Sequence, residues 1–136
     1  MSYKMSYQSS FRVYAEDTDM MGIVYHANFL CFFERARTEM LREKNWSLTR
    51  MAAEHDRHFV ISDVSMQFLH PAMLDDLLFI SSDIVKRSSC SILFEQSLRN
   101  QHNTLLCEAQ VKIVCVDSAM KIQRIPPLYN EEEVDK

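Results

Sequence analysis

Glycine is nearly absent from this sequence. The chain has a single glycine, Gly22, in 136 residues, where an average composition of about 7% would place about nine or ten. A P-loop, a dinucleotide-binding GxGxxG turn, a kinase glycine loop and a GxSxG nucleophile elbow each need at least two glycines. This count therefore excludes the standard nucleotide-binding motifs and the serine-hydrolase elbow.

Long apolar runs and basic clusters are missing as well. The longest stretch without a formal charge covers residues 20–33 and contains His26 and Asn28, whereas a membrane-spanning helix needs about 20 apolar residues. The first eleven residues lack the apolar segment of a signal peptide. No polybasic run indicates a nucleic acid or an anionic membrane as partner. We therefore expect a chain that neither spans a membrane nor binds nucleic acid.

Paired cysteines are the third missing feature. The four cysteines form no CxxC pair and lie within apolar or alternating runs, at Cys31, Cys90, Cys107 and Cys115. Such a pattern is typical of buried thiols in a reducing compartment. The sequence therefore predicts a cytoplasmic protein.

The composition that remains is that of one globular domain. Hydrophobic residues make up 47% of the chain and charged residues 25%, and a chain of this length can bury about two-thirds of its unfolded surface. We predict a single domain over residues 1–136, with its core at about 10–126. Residues 128–136 form an acidic tail, which we expect to be disordered.

One long helix is predicted over residues 27–44, where the apolar period is that of an α-helix. Asn28 is a candidate cap, and Asn45 is a candidate left-handed stop. Residues 29–33 are apolar on every side, so we expect that end of the helix to be enclosed. A second, short helix is predicted over residues 47–55.

The remaining segments alternate with the period of a strand. These segments are residues 11–15 ahead of the helix, then 60–68, 77–85, Ser91–Arg99, Leu105–Val116 and 120–125. Because the connections are short, the strands are expected to pair antiparallel. The predicted class is α+β, with one antiparallel sheet curled around the long helix. Its free edges predict a homodimer.

Polar residues are densest between the first strand and the long helix. Residues 16–19 read Glu-Asp-Thr-Asp, and His26 and Asn28 follow at the helix start. A carboxylate, an imidazole and the free N–H groups of a helix N-terminus can together polarise a carbonyl and activate water. Two alternatives remain open at this point: an ordinary capping turn, and a metal site at Asp17 and Asp19.

The segment EDTDMMGIVYHANFLCFFERARTEML resembles the signature of the hotdog-fold acyl-CoA thioesterases, in the 4-hydroxybenzoyl-CoA thioesterase superfamily. It is most similar to the subgroup associated with the Tol-Pal cell-envelope system. The similarity covers about residues 10–126, including the segments 70–72 and 74–76. It implies a curved antiparallel sheet around one helix, assembled as homodimers and often as tetramers that are dimers of dimers.

The resemblance also implies an activity and a set of site residues. The activity is hydrolysis of an acyl-CoA thioester, or of an acyl-carrier-protein thioester, to a free acid and a thiol. Asp19 matches the catalytic carboxylate, which acts as general base or nucleophile, and His26 matches a second catalytic position. Tyr25, Asn28 and Gly22 match substrate-binding positions, and N–H groups near His26 match the oxyanion donors. No metal and no cofactor are implied, since coenzyme A is part of the substrate.

Two positions depart from the pattern of that subgroup. Ala15 stands where a tyrosine is common, and Met20 and Met21 stand where a pair of small residues is usual. Both departures concern the shape of the acyl pocket and the rate. A non-catalytic acyl-binding or scaffold protein that retains the fold therefore stays open as an alternative. The possible partners are an acyl carrier protein or cell-envelope-associated proteins.

Overall fold

Five antiparallel strands and two helices make up the fold in a computed structural model, which describes residues 5–127. The elements are β1 (Met5–Arg12), a 3₁₀ turn (Ala15–Asp17), α1 (Asn28–Glu43), α2 (Leu48–His55), β2 (His58–Phe68), β3 (Leu77–Arg87), β4 (Ser91–Arg99) and β5 (Leu105–Val116). The strand order in the sheet is β1-β3-β4-β5-β2. The predicted α+β arrangement, a curved antiparallel sheet with one long helix, is confirmed.

Both helices lie where the apolar period predicts them. Helix α1 is one residue shorter at each end than predicted, and Asn45 beyond it has a φ of 63°, the expected left-handed stop. Helix α2 is capped by Ser47, whose hydroxyl accepts the N–H of Arg50 at 3.4 Å.

The hydrophobic core lies between α1 and the inner face of the sheet. The buried apolar residues of α1 are Phe29, Phe32, Phe33, Ala36, Met40 and Leu41. They belong to the same cluster as the inner residues of the three central strands, among them Ile80, Phe94, Leu98 and Val111. The alternation of burial along β3, β4 and β5 matches the period predicted from the sequence.

A polar bridge crosses this core. The buried Arg37 guanidinium donates to Gln96 Oε1 at 3.0 Å, and Gln96 Nε2 donates to the Phe33 carbonyl oxygen at 3.0 Å and to Ser82 Oγ at 2.9 Å. Burial lowers the pKa of Arg37 to about 10, and the Glu34 carboxylate opposes part of that fall. Gln96 therefore links the middle of α1 to β3 and β4 by three hydrogen bonds.

One strand prediction is wrong in its bounds, and another predicts a strand where the structure has none. Strand β1 begins at Met5 and ends at Arg12, not at 11–15, because the polar residues Ser6, Gln8 and Ser10 alternate outward while Tyr7 and Phe11 contact the core. Residues 120–125 form one isolated bridge instead of a strand. There Asp117 Oδ1 accepts the N–H groups of Ala119 and Lys121, and Met120 has a φ of 64°. A side-chain-capped turn thus replaces the expected strand.

The prediction of buried cysteines holds for Cys107 and Cys115 and is wrong for Cys31, which is exposed, while Cys90 is partly exposed. Burial, with a contribution from Glu108, raises the pKa of Cys107 to about 12. Because Cys31 is exposed, the apolar start of α1 is covered on one side and open on the other. The predicted tail lies outside the described residues. Within residues 5–127, no helix is long and apolar enough to cross a membrane.

Candidate active site

A tight hairpin carries the acidic segment towards α1. Thr18 forms a bridge with Val24, and the N–H of Asp19 donates to the Ile23 carbonyl oxygen at 2.9 Å. Gly22 closes the turn with a φ of 76°, a conformation that favours glycine. The single glycine of the chain therefore lies at a position where the backbone of the turn favours glycine.

Asp19 lies at the start of the turn and is exposed. Its Oδ1 accepts the N–H of Met21 at 2.8 Å, a side-chain hydrogen bond typical of aspartate at a turn. Its Oδ2 has no donor within the described residues. Residues 5–127 of one chain therefore do not enclose this carboxylate in a pocket.

Asp17, two residues earlier, has a different environment. It is buried, and its Oδ2 accepts the N–H of Tyr14 at 2.9 Å. The two carboxylates therefore bind different N–H groups instead of converging on one point. Among residues 5–127, no group of three or more His, Cys, Asp or Glu side chains is placed to hold a metal ion.

The start of α1 is tethered to this acidic segment. Asn28 is the first residue of the helix and not its cap, so that prediction is wrong; the N-cap position is Ala27, which makes no side-chain cap. The Asn28 Nδ2 instead donates to the Asp17 carbonyl oxygen at 2.9 Å. The N–H groups of His26 and Ala27 donate to no acceptor in the described part of the chain, as is typical of a helix N-terminus.

Aromatic rings line the helix start. The His26 ring lies 4.4 Å from the Tyr25 ring and 6.0 Å, edge-on, from the Phe68 ring, and Phe68 also lies 5.7 Å from Phe29. Half of Tyr25 and half of Phe68 are exposed. These distances are those of attractive aromatic pairs, so the His26 ring is held between Tyr25 and Phe68.

A second segment, residues 68–74, runs alongside the hairpin. The N–H of Val24 donates to the Ala72 carbonyl oxygen at 2.8 Å, and the N–H of Leu74 donates to the Gly22 carbonyl oxygen at 3.0 Å. The sequence reasoning did not place Phe68, Met73 or Leu74 in the site. The available signal was the loss of alternation after β2, where apolar residues follow one another.

The structure thus gathers the predicted residues along one ribbon, residues 17–28. Asp19 and Gly22 lie at its turn, and Tyr25, His26 and Asn28 lie at the helix start. This arrangement offers a carboxylate with a free oxygen, an imidazole held between two rings and free N–H groups beside an apolar surface. A carboxylate can accept a proton from water, and free N–H groups can stabilise a developing oxyanion.

Comparison with known proteins gives a family match over most of the chain. The model of the thioesterase-like superfamily matches residues 13–132. The acyl-CoA thioester hydrolase YbgC of Escherichia coli O6:H1 is 46% identical over 116 residues, which cover 85% of this chain and 86% of that protein. The acyl-CoA thioesterase YbgC of Haemophilus influenzae is 46% identical over 107 residues, or 78% of this chain and 77% of that one.

A solved structure agrees with the fold. The crystal structure of a probable thioesterase from Bartonella henselae has a TM-score of 0.85 and 33% sequence identity, covering 90% of this chain and all of that one.

Proposed function

The chain belongs to the thioesterase-like superfamily, and we propose that it hydrolyses acyl-CoA thioesters to a free acid and coenzyme A. The observation that carries the proposal is the ribbon at residues 17–28. It holds an exposed carboxylate and free helix N-terminal N–H groups, in a chain that is 46% identical to acyl-CoA thioester hydrolases over 85% of its length.

The proposed reaction adds water across the thioester bond. Asp19 takes a proton from water through its free Oδ2, the water oxygen attacks the acyl carbon, and the carbon–sulfur bond breaks as the sulfur leaves as a thiolate. Asp19 then gives the proton to the thiolate, directly or through solvent, which forms coenzyme A and restores the carboxylate. Attack by the carboxylate itself, followed by hydrolysis of the resulting anhydride, gives the same products. Because a thiol has a pKa of about 8.5, the sulfur needs little protonation to leave.

The N–H groups of His26 and Ala27 are the proposed oxyanion donors. They lie at the N-terminus of α1, where unpaired N–H groups and the helix dipole favour negative charge. The tether from Asn28 to the Asp17 carbonyl oxygen joins this helix end to the segment that carries Asp19. Tyr25 and the His26 ring provide the proposed surface for the thioester beside them.

We also propose a homodimer, or a dimer of such dimers. Strand β2 is an edge strand whose Ile61, Val64 and Phe68 are exposed, and exposed edges are prone to pair. A second copy would also supply the enclosure that Asp19 lacks in one chain. Static light scattering at micromolar concentration is expected to give at least twice the chain mass, and a monomer mass would contradict this assembly.

Location and protein partners follow from the sequence pattern and the resemblance. We propose a cytoplasmic location, supported by four free cysteines. An acyl carrier protein as acyl donor and cell-envelope proteins of the Tol-Pal system as partners are proposed on the resemblance alone. Co-purification of the tagged chain from its native host, followed by mass spectrometry, tests both.

Turnover measurements on a panel of acyl-CoA and acyl-carrier-protein thioesters test the proposed function. We expect one free thiol to be released per acid formed, over many turnovers per subunit. An acyl-binding or scaffold protein would instead bind the thioester without turnover. Thioester binding with no thiol release on any substrate of the panel would therefore refute the hydrolase.

A further inference from the structure

Four exposed apolar side chains lie on two main-chain-paired segments, one of which carries Asp19. Met20 is fully exposed, at 104% of its reference area, and Met21 is 81% exposed, while Met73 and Leu74 are each 44% exposed. The two segments are joined by the bridge between Ile23 and Met73 and by the hydrogen bond from Leu74 to Gly22. We call Met20, Met21, Met73 and Leu74 the methionine lip.

The main chain of the lip is hydrogen-bonded to the Asp19 carboxylate, which we propose as the catalytic base or nucleophile. Asp19 Oδ1 accepts the N–H of Met21 at 2.8 Å, and Asp19 also closes the turn through its main chain. The ideal Cβ position at Gly22 has no atom within 4 Å. The tip of the hairpin is therefore held in place by Asp19 and has open space beside it.

The negative charge near the lip determines which part of an acyl-CoA substrate can bind there. Asp19 and Asp76 accept the N–H groups of Met21 and Met73, each at 2.8 Å. Asp75 follows Leu74 in the chain, and its carbonyl oxygen accepts a hydrogen bond from Arg12 at 2.8 Å. These three acidic residues against one arginine disfavour the phosphates of coenzyme A and the surface of an anionic membrane. The neutral acyl group is the part of the substrate that fits.

We propose that the methionine lip binds the aliphatic acyl chain of the substrate and sets a preference for longer chains. This inference rests on the proposed function. Methionine is unbranched and flexible, so a pair of methionines can follow a flexible alkyl chain. A rigid aromatic acyl group would fit the rings of Tyr25 and Phe68 better.

The expected size of the preference follows from apolar burial. Each methylene that is fully buried favours binding by about fourfold. On an open surface such as the lip each methylene is only partly buried, so a chain that extends a few methylenes along it should gain about tenfold in kcat/KM over a chain too short to reach it.

The experiment compares butanoyl-, octanoyl- and dodecanoyl-coenzyme A as substrates of the full chain. The test variant carries both Met20→Ser and Met21→Ser. The control is Met120→Ser, which removes an exposed methionine from the turn after β5. We expect the double variant to lose about tenfold in kcat/KM on dodecanoyl-coenzyme A and less than about twofold on butanoyl-coenzyme A. The control should match the wild type on all three.

Three results would overturn the inference and leave the proposed function in place. They are a wild-type series that does not rise with chain length, an equal loss on all three substrates, and no loss at all. A smaller assembly mass of the double variant than of the wild type by light scattering would identify the lip as a subunit contact and would also overturn it. The proposed function itself fails only if the wild type also releases no thiol from any other substrate of the acyl-CoA and acyl-carrier-protein panel.

Discussion

The middle of helix α1 and its N-terminal end differ in how far one chain buries their side chains and pairs their polar groups. In the middle, one chain covers every apolar side chain on the inner face, and the buried Arg37 has a partner in Gln96. At the N-terminal end, Tyr25, His26 and the neighbouring Cys31 are exposed, and the N–H groups of His26 and Ala27 are unpaired within the described residues.

This difference separates the part of the molecule that stabilises the fold from the part that we propose acts on a substrate. An unpaired buried polar group lowers the stability of the fold, and in the middle of the helix the buried guanidinium has a hydrogen-bond partner. The unpaired groups at the helix start are accessible, so solvent can satisfy them until a substrate replaces it. We therefore expect substitutions in the middle to change stability and substitutions at the end to change turnover.

Asp19→Asn is expected to have the largest effect. The substitution keeps the shape and the acceptor for the Met21 N–H but removes the basic oxygen, so kcat should fall at least about 100-fold. KM and the thermal midpoint should change little, because the side chain is exposed. Steady-state kinetics and thermal unfolding check this. Near-native turnover of the variant would exclude Asp19 as the catalytic carboxylate.

Gln96→Leu tests the other side of the comparison. It keeps a similar volume but removes the acceptor of Arg37 and both donors of Gln96, so the free energy of unfolding should fall by about 2 kcal/mol. Gln110→Leu, an exposed position on β5, is the control and should stay within about 0.5 kcal/mol. Denaturant unfolding measures both. A Gln96→Leu variant with unchanged stability and reduced kcat would contradict the assignment of the middle of α1 to stability and of its N-terminal end to turnover.

Asn28→Ala tests the tether between the two parts of the site. Loss of the hydrogen bond to the Asp17 carbonyl oxygen should misplace Asp19 relative to the helix start and lower kcat about tenfold, with KM unchanged. Asn28→Asp lacks the same donor and adds a negative charge beside the proposed oxyanion donors, so its kcat should fall at least as far. A raised KM with normal kcat would instead show that Asn28 contacts the substrate, as the resemblance implies.

His26→Ala is expected to cost about fivefold in kcat/KM, because the ring contacts with Tyr25 and Phe68 are lost. The main-chain N–H survives the substitution, so the loss should be smaller than that of Asp19→Asn. His102→Ala, in the loop between β4 and β5, serves as the control and should leave kinetics unchanged. A loss as large as that of Asp19→Asn would give the imidazole a direct part in proton transfer.

Asp17→Asn should have the smallest effect, within about twofold in kcat. The amide oxygen can still accept the Tyr14 N–H, and the main-chain carbonyl that binds Asn28 is unchanged. Kinetics measured beside Asp19→Asn give the comparison directly. If Asp17→Asn abolishes turnover while Asp19→Asn does not, the catalytic carboxylate lies two residues earlier than we propose.

Strong periodicity explains where the sequence predictions succeeded. Strands β4 and β5 match their predicted bounds, and α1 differs by one residue at each end, because buried alternating or helical patterns leave a clear trace in the sequence. Strand β1 was placed too late, because its outward residues are polar and only its register with β3 defines it. The prediction of a last strand is wrong because Asp117 caps a turn there.

Some features of the candidate site could likewise be predicted from the sequence, and others only from the structure. The acidic segment, His26 and the helix start could be chosen from the sequence, because a carboxylate beside a helix N-terminus has a chemical meaning regardless of its neighbours. The tether of Asn28 to Asp17 and the positions of Phe68, Met73 and Leu74 join residues more than ten positions apart in the chain. No local pattern encodes such pairs.

By itself, the sequence determined the class of the fold, the elements around the core and the segment that we propose carries the chemistry, since each depends on local periodicity or on residue type. The tertiary structure decided which carboxylate is buried and which is free. Asp17 and Asp19 are the same residue type two positions apart, yet one is buried against the N–H of Tyr14 and the other is exposed on a turn. That choice depends on how the turn closes and on what packs against it, which composition and spacing do not specify.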